Sequence, residues 1–502
     1  LKYCVNSKFT QYLRFYLRKE ATLMPRINET KYFHESFVGG DGLRSYFGRV
    51  RMGTDSVVTT PFAKGESTEH LLVEWLGTLE SIRSEWPTLW QFEIDLAEKV
   101  GPMSVMAPLE DRLPDIDSYY EGILLPSTPI RSSAIAAVKK EWSQAGGLRA
   151  RTQSRTVQNM KLSTNSGSPY FAKRRNVLQQ TMPILGCSFY DGLVEQSLQD
   201  GTNTWYAAAV LGWRGQEGGY SKEDVKQRVV WMFPLAVNIL ELSVYQPLIE
   251  AAQKFNIVPA WVGMDAVDKR ITSMFDSKAS KDLVVCTDFS KFDQHFNARM
   301  QQVTEDVLRF LLTRDGEGWL RDIFPIKYMI PLAYDWEKVR FGWHGMGSGS
   351  GGTNADETIA HRALQYEAAQ RKGASLNLSS QCLGDDGVLT FPGITVDDVV
   401  YAYTEHGLEM NWDKQYASPD DCVYLRRWHH KDYRDSGICV GVYSTCRALG
   451  RMRYMERYID PEMWGEKAVA LRQLSILENV KYHPLNELLL QRMILYILKN
   501  GE

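Results

Sequence analysis

Two hydrophobic rhythms alternate along the chain. KDLVVCTDFSKFD carries an apolar run over 283–286 that gives way to polar residues, the pattern of a buried strand over 283–287 opening into a turn. NADETIAHRALQYEAAQRK predicts a helix over 355–372, with Thr353 or Asn354 as its cap and Gly373 as its stop. CLGDDGVLTF reads as strand, tight turn and strand over 382–391. A helix is expected over 396–405, ending at Gly407, after which GLEMNWDKQYAS returns to strand. The tail over 461–498 is amphipathic helix. The most apolar stretch, 229–245, is interrupted by Pro234, Asn238 and Glu241, so it reads as core and not as a membrane span.

Composition narrows this picture without deciding it. With 502 residues, 44% hydrophobic and 24% charged, the chain is long enough for two to four packed units. A net charge of -3 excludes a global field for polyanions, so an anionic partner must be met by local patches. Such patches exist. Residues 131–175 hold ten basic side chains against one acidic, and 426–457 hold eight against three. The seven cysteines are scattered, with no Cys-x-x-Cys pair, and read as reduced thiols of a cytosol-like compartment. His429 and His430 would face opposite sides of a strand. Lys2, Lys8, Arg14, Arg18 and Lys19 lie among aromatics, either as a solvated helix face or as an RNA- or membrane-binding arm. They lack the apolar segment of a signal peptide.

The chemistry concentrates between the two basic blocks. Asp385 and Asp386 place adjacent like charges inside an apolar run. Gly-Asp-Asp-Gly is good turn chemistry, so a solvated hairpin tip explains them; a bound cation explains them equally. Asp288 ends the strand over 283–287, and Asp293 follows five residues later. Asp288 alone suits a turn or helix cap, but a tertiary fold that joined it to Asp385 across 97 residues would create an oxygen site for magnesium-like ions. Between them, HGMGSGSGGTNADET offers a flexible loop running into a helix N-terminus, which favours anions; no lysine makes it a Walker loop.

In their order along the chain, these segments resemble the motifs of viral RNA-dependent RNA polymerases. DFSKFD resembles motif A, SGSGGT motif B, LGDD motif C, NWDKQ motif D and CVYLRRW the primer-grip motif E. Upstream, VKQRVVWMFP resembles the basic motif F and LSTNSGSPY the template motif G. The wording DFSKFDQ, SGSGGTN and GDDG is most similar to picobirnavirus polymerases, with those of partitiviruses next. The resemblance implies an α+β closed right hand with an antiparallel palm sheet backed by helices. Its implied units are an N-terminal extension bridging fingers and thumb over 1–75, fingers with part of the palm over 76–281, a palm over 282–432 with a fingers insertion near 305–342, and a helical thumb over 433–502.

The resemblance also implies roles. Asp288, Asp385 and, as a lesser ligand, Asp386 would hold two magnesium or manganese ions. Lys414 would give a proton to the leaving pyrophosphate. Asp293 would accept a hydrogen bond from the nucleotide 2′-hydroxyl, where reverse transcriptases carry an aromatic. Ser348, Gly349 and Thr353 would position ribose and template, and Glu357 stands where many positive-strand polymerases have Asn, with Asn354 as a substitute. Lys222, Lys226 and Arg228 would face the triphosphate, though Lys222 beside Glu223 and Asp224 equally suits a surface ion pair. Ser166, Gly167, Pro169, Lys173, Arg174, Arg175, Arg426 and Arg427 would meet RNA. Implied partners are template and nascent RNA, nucleoside triphosphates and a viral capsid protein, in a virion interior and host cytoplasm, serving a double-stranded RNA genome. A reverse transcriptase and a non-catalytic, RNA-binding, capsid-associated protein are the rival readings.

Overall fold

The apolar run at 283–287 becomes the strand Val284–Thr287, buried along its whole length because both faces are covered. It lies inside a four-stranded antiparallel sheet in the order Tyr416–Ser418, Val284–Thr287, Asp386–Leu389, Gln381–Leu383. Val284, Cys286 and Val388 pack on Val267, Ile271 and Met274 of the Met264–Ser277 helix. Val285 and Leu389 face the other way, into a core shared with Ile359, Ala360 and Ala363 of the Thr353–Arg371 helix. A computed structural model describes residues 40–63, 67–188, 193–198, 201–336 and 338–500. The basic arm at Lys2–Lys19, Cys4 and most of the expected N-terminal extension lie outside the described residues.

A second sheet runs Lys226–Met232, Ala209–Gln216, Leu332–Asp335, Lys338–Arg340. Its two sequence-distant halves join through a parallel pairing of Ala209 with Leu332, so the chain leaves the central sheet and returns to this one before re-entering the core. The expected division at residue 75 falls inside the Thr68–Leu79 helix. That helix and Pro87–Ala97 share a core with the C-terminal elements, where Trp75, Leu79 and Phe92 meet Leu449, Met452, Ile476 and Met493. Buried Glu93 fastens this union by capping the Thr445–Arg453 helix, accepting from Thr445 N at 2.7 Å and Ser444 Oγ at 2.5 Å. Ahead of it, Tyr46 donates to Leu211 O at 2.7 Å and Thr60 N to Arg453 O at 2.8 Å, so residues 46–60 span from the second sheet to the C-terminal helices.

Two local expectations change in the fold. Only Tyr416–Ser418 of the stretch after Gly407 is strand; Trp412–Lys414 is a turn of 3₁₀ helix, because the Asn411 side chain accepts from Asp413 N at 3.0 Å and bends the chain. The tail splits into Glu466–Val480 and Asn486–Asn500, since Pro484 cannot continue a helix. The six described cysteines are free thiols, five of them buried. Among the described residues no helix is long and apolar enough to cross a membrane.

Candidate active site

Gly384 and Asp385 form the two-residue turn of the expected hairpin, with Asp386 paired to Leu383 across it. Gly384 has φ 59°, a left-handed conformation that glycine adopts without steric cost. The register pairs Thr287 with Gly387, so Asp288 leaves its strand beside the tip that carries Asp385. Both aspartates are exposed. Burial of its surroundings and the neighbouring charge of Asp385 raise the Asp288 carboxyl, while Lys414, Lys99 and Lys226 pull it back down. Gln415, not singled out in the sequence, clamps the Asp288 backbone from both sides: its Oε1 accepts from Asp288 N at 2.9 Å and its Nε2 donates to Asp288 O at 2.7 Å.

Asp386 faces elsewhere. Its Oδ2 accepts from Leu425 N at 2.8 Å, inside the two-residue turn that joins Asp421–Tyr424 to Arg427–His430. Leu425 and Arg426 both hold positive φ, 52° and 61°, a conformation costly for side chains with a Cβ. The carboxylate satisfies the strained turn and ties the hairpin of one sheet to that of the next. Burial and then Asp385 push the Asp386 carboxyl up to about 7, against the Leu425 N–H that lowers it. The adjacent pair is therefore divided: one carboxylate faces the open site, and the other anchors a neighbouring turn.

The Thr353–Arg371 helix fixes the tip from behind. Thr358 Oγ1 accepts from Gly384 N at 2.9 Å, and one turn on His361 Nδ1 donates to Gly384 O at 2.9 Å. Burial holds His361 down to about 4, so it is the neutral tautomer with its proton on Nδ1. A Cβ on Gly387 would come within 2.5 Å of His361 Cε1 and 2.7 Å of Thr287 Oγ1. Gly387→Ala is accordingly expected to push the tip out of place, costing about 1–3 kcal/mol of stability and most of the nucleotide incorporation, read from thermal midpoints and single-nucleotide extension.

The glycine-rich loop packs too closely for side chains. A Cβ on Gly349 would meet Trp231 O at 1.6 Å. Ser348 Oγ accepts from Trp231 N at 3.3 Å, Gly349 O accepts from Asn238 Nδ2 at 3.2 Å, and Thr353 Oγ1 donates back to Gly347 O at 3.1 Å. Beneath it Glu241 takes the Ser350 hydroxyl, and Lys327 pairs with Asp356 at 3.1 Å with both side chains fully buried. Asn354, the expected substitute for the Asn that Glu357 replaces, accepts with its Oδ1 from Trp261 Nε1–H at 2.8 Å, while its Nδ2 lies 3.5 Å from the place a Cβ would occupy on Gly384. Glu357 itself is buried, its Oε1 has no hydrogen-bond partner among the described residues, and burial first and the Asp293 charge second hold its carboxyl well above the ordinary range.

The cations sort by strand direction. Lys226 and Arg228 lie two residues apart on one exposed face of Lys226–Met232; Lys226 feels Lys99, Lys414 and Asp288, and Arg228 feels Asp293. Lys222 is drawn away to Asp55 at 3.2 Å. Lys99, which no sequence pattern marks, joins the group from the loop after Pro87–Ala97. Of the expected RNA contacts, Lys173, Arg175 and Arg426 are exposed. Ser166, Gly167 and Pro169 are buried: Ser166 Oγ accepts from Ala172 N at 3.2 Å, and a Cβ on Gly167 would meet Phe233 O at 2.5 Å, so this segment packs inward. Arg174 is spent on Asn238 Oδ1 at 2.7 Å, and Arg427 donates to Gly441 O at 3.3 Å.

Among the described residues no three Asp, Glu, His or Cys side chains form a ready-made metal cage. Asp288 and Asp385 instead present exposed oxygens of like charge, which fits a hard cation that takes one or two carboxylates and completes its shell with water and phosphate.

Comparison with known proteins identifies the family. The profile of the viral RNA-dependent RNA polymerase family matches residues 143–452. A potential RNA-dependent RNA polymerase of a human picobirnavirus (strain Human/Thailand/Hy005102/-) is 59% identical over 460 residues, covering 91% of this chain and 85% of the relative. The crystal structure of the RNA-dependent RNA polymerase of a human picobirnavirus superimposes with a TM-score of 0.90 at 56% identity, over 95% of this chain and 90% of that one. Its insertion loop deletion mutant gives 0.89 at 56% identity, over 94% and 91%. Fold, motif order and relatives agree, and the chain belongs to the viral RNA-dependent RNA polymerases.

Proposed function

We propose that the chain replicates and transcribes a double-stranded RNA viral genome, joining nucleoside triphosphates at a two-metal site held by Asp288 and Asp385. The observation that carries this reading is the meeting of these two carboxylates across 97 residues, ringed by Lys414, Lys226 and Lys99. Magnesium or manganese ions, when bound there, supply charge neutralisation and a lowered pKa for the attacking 3′-hydroxyl. The chain's own residues position the reactants. Lys226 and Arg228 face the triphosphate, with Arg228 offering a planar fork to phosphate oxygens. Lys414 gives a proton to the departing pyrophosphate, and Asp293 accepts from the 2′-hydroxyl. Ser348, Gly349 and Thr353 shape the loop against ribose and template. Lys173, Arg175 and Arg426 contact the RNA backbone. In this reading residues 209–232 and 332–340 belong to the fingers, the central sheet is the palm, and the C-terminal helices with residues 67–97 form the thumb. A capsid protein as partner, in a virion interior and host cytoplasm, rests on the picobirnavirus likeness alone.

Extension of a primed RNA template with magnesium or manganese tests the reading. Products are expected with ribonucleotides and none after chelation by EDTA; RNA binding without synthesis would overturn it. The two adjacent aspartates are expected to separate in the same assay. Asp386→Asn keeps an oxygen for Leu425 N–H and is expected to lose about tenfold in rate, whereas Asp385→Asn loses about a thousandfold, a gap of about 2.7 kcal/mol. Equal losses would show that Asp386 serves the metals as directly as Asp385.

A further inference from the structure

We propose that Gln415 is a positioning residue, whose side-chain amide takes the place of a missing strand pairing and holds the turn that carries Lys414 in register with Asp288. This role rests on the reading of Lys414 as the proton donor and gives that donor its support.

The central sheet loses its regular pairing where the site begins. Tyr416 pairs with Cys286, and beyond the sheet Glu409 forms an antiparallel bridge with Ser290. Between these two fixed points three residues, 287–289, face six, 410–415, so one segment bulges by three residues. An unbroken ladder would set Lys414 opposite Asp288 and spend its backbone on the Asp288 N–H and C=O. The surplus residues coil instead: Trp412–Lys414 is a turn of 3₁₀ helix, and Lys414 N donates to Asn411 O at 3.2 Å.

The coil leaves two backbone groups of Asp288 to be satisfied by something else. Gln415 serves both. Its Oε1 accepts from Asp288 N at 2.9 Å, and its Nε2 donates to Asp288 O at 2.7 Å. The same Nε2 donates to Asn411 O at 2.9 Å, across the base of the turn. A primary amide offers the same C=O and N–H as a peptide unit, so the side chain completes a ladder that the main chain has left.

Of residues 411–416, Gln415 alone is buried. The bonds from Lys414 N to Asn411 O, from Gln415 N to Trp412 O and from Asp413 N to Asn411 Oδ1 close the turn on itself, whereas the Gln415 side chain reaches the strand. Bulges re-aim a side chain beside a site. Here the extra residues free Lys414 from the sheet, and Gln415 limits how far it can swing from the strand end that bears Asp288.

A double-mutant cycle on single-nucleotide incorporation tests the inference. Lys414→Met, which removes the donor and keeps the stem, is expected to lower kcat about a hundredfold. Gln415→Met keeps the length and removes all three hydrogen bonds; it is expected to lower kcat about tenfold or more, with the nucleotide KM within about threefold of wild type. Because Gln415 acts through Lys414, the double variant is expected within about threefold of Lys414→Met alone. A role in stability alone, or in placing Asp288 alone, multiplies the two losses to about a thousandfold and overturns the inference. Full kcat in Gln415→Met overturns it as well. Gln415→Leu repeats the cycle should Met fail to fold, with thermal midpoints as the check. If Lys414→Met itself matches wild type, the proton-donor reading fails and takes the inference with it. If Lys414→Met is slow and the losses multiply, the inference alone fails.

Discussion

Asp385→Ala is expected to abolish nucleotide incorporation while leaving the fold and RNA binding in place. Asp385 is exposed at the hairpin tip, so its truncation opens no cavity in the core. The turn itself is held by Gly384 through Thr358 and His361, which the substitution leaves untouched. What is lost is half of the oxygen pair that faces the reacting phosphates. Phosphoryl transfer depends on positioning and charge neutralisation more than on covalent help from side chains, so the loss is concentrated in the chemical step. A fall of about a thousandfold or more, at least ~4 kcal/mol in the barrier, is expected in single-nucleotide extension. The thermal midpoint and the affinity for primed template should stay close to wild type. Full-length product from Asp385→Ala would refute the assignment.

The largest effect on stability is expected from Lys327→Met. Lys327 is fully buried, 3.1 Å from Asp356 and 3.9 Å above the Phe324 ring centroid. Asp356 also accepts from Tyr245 Oη at 2.7 Å and Tyr328 Oη at 2.5 Å, and Glu241 lies within the same field. Removing the cation strands buried carboxylates, a loss of about 3–5 kcal/mol. Its pH dependence has a definite sign. Burial pushes Glu241 up to about 7, and Asp356 is raised for the same reason, each restrained by Lys327. A carboxyl whose folded pKa exceeds its unfolded value binds more protons when folded, so stability falls as pH rises between the two values. Without Lys327 both groups move further up. The variant's deficit in chemical denaturation should therefore be larger at pH 8 than at pH 6, and a deficit independent of pH would show that packing alone was lost.

Much of this was legible before the fold. The strand at 284–287, the helix at 353–371 and the hairpin at 381–389 follow from local periodicity and turn chemistry, and each lies within two residues of its expected ends. The basic blocks were less legible. Charge counts do not say where a side chain points, and Arg174, Arg427 and Arg447 are consumed by Asn238, Gly441 O and Glu217 inside the protein. Lys99 carried no signal because it lies far upstream of every motif it joins. Gln415 sat inside a recognised segment, yet its clamp on Asp288 depends on a strand pairing that the segment does not encode.

By itself the sequence determined the parts: a buried strand ending in Asp288, a glycine turn carrying Asp385, a tight loop running into a helix and the order of motifs that mark the family. Only the tertiary structure decided their division of labour. Asp385 and Asp386 are neighbours in the chain and identical in chemistry, but one sits exposed in the turn and the other begins the strand, where it accepts from Leu425 N. Asp288 comes beside the tip that carries Asp385 because antiparallel pairing of Thr287 with Gly387 joins strands that lie far apart in the chain. The physical reason is the same in both cases. Periodicity and turn propensity act over a few residues, whereas pairing, burial and charge acquire their values from neighbours that arrive through register and packing.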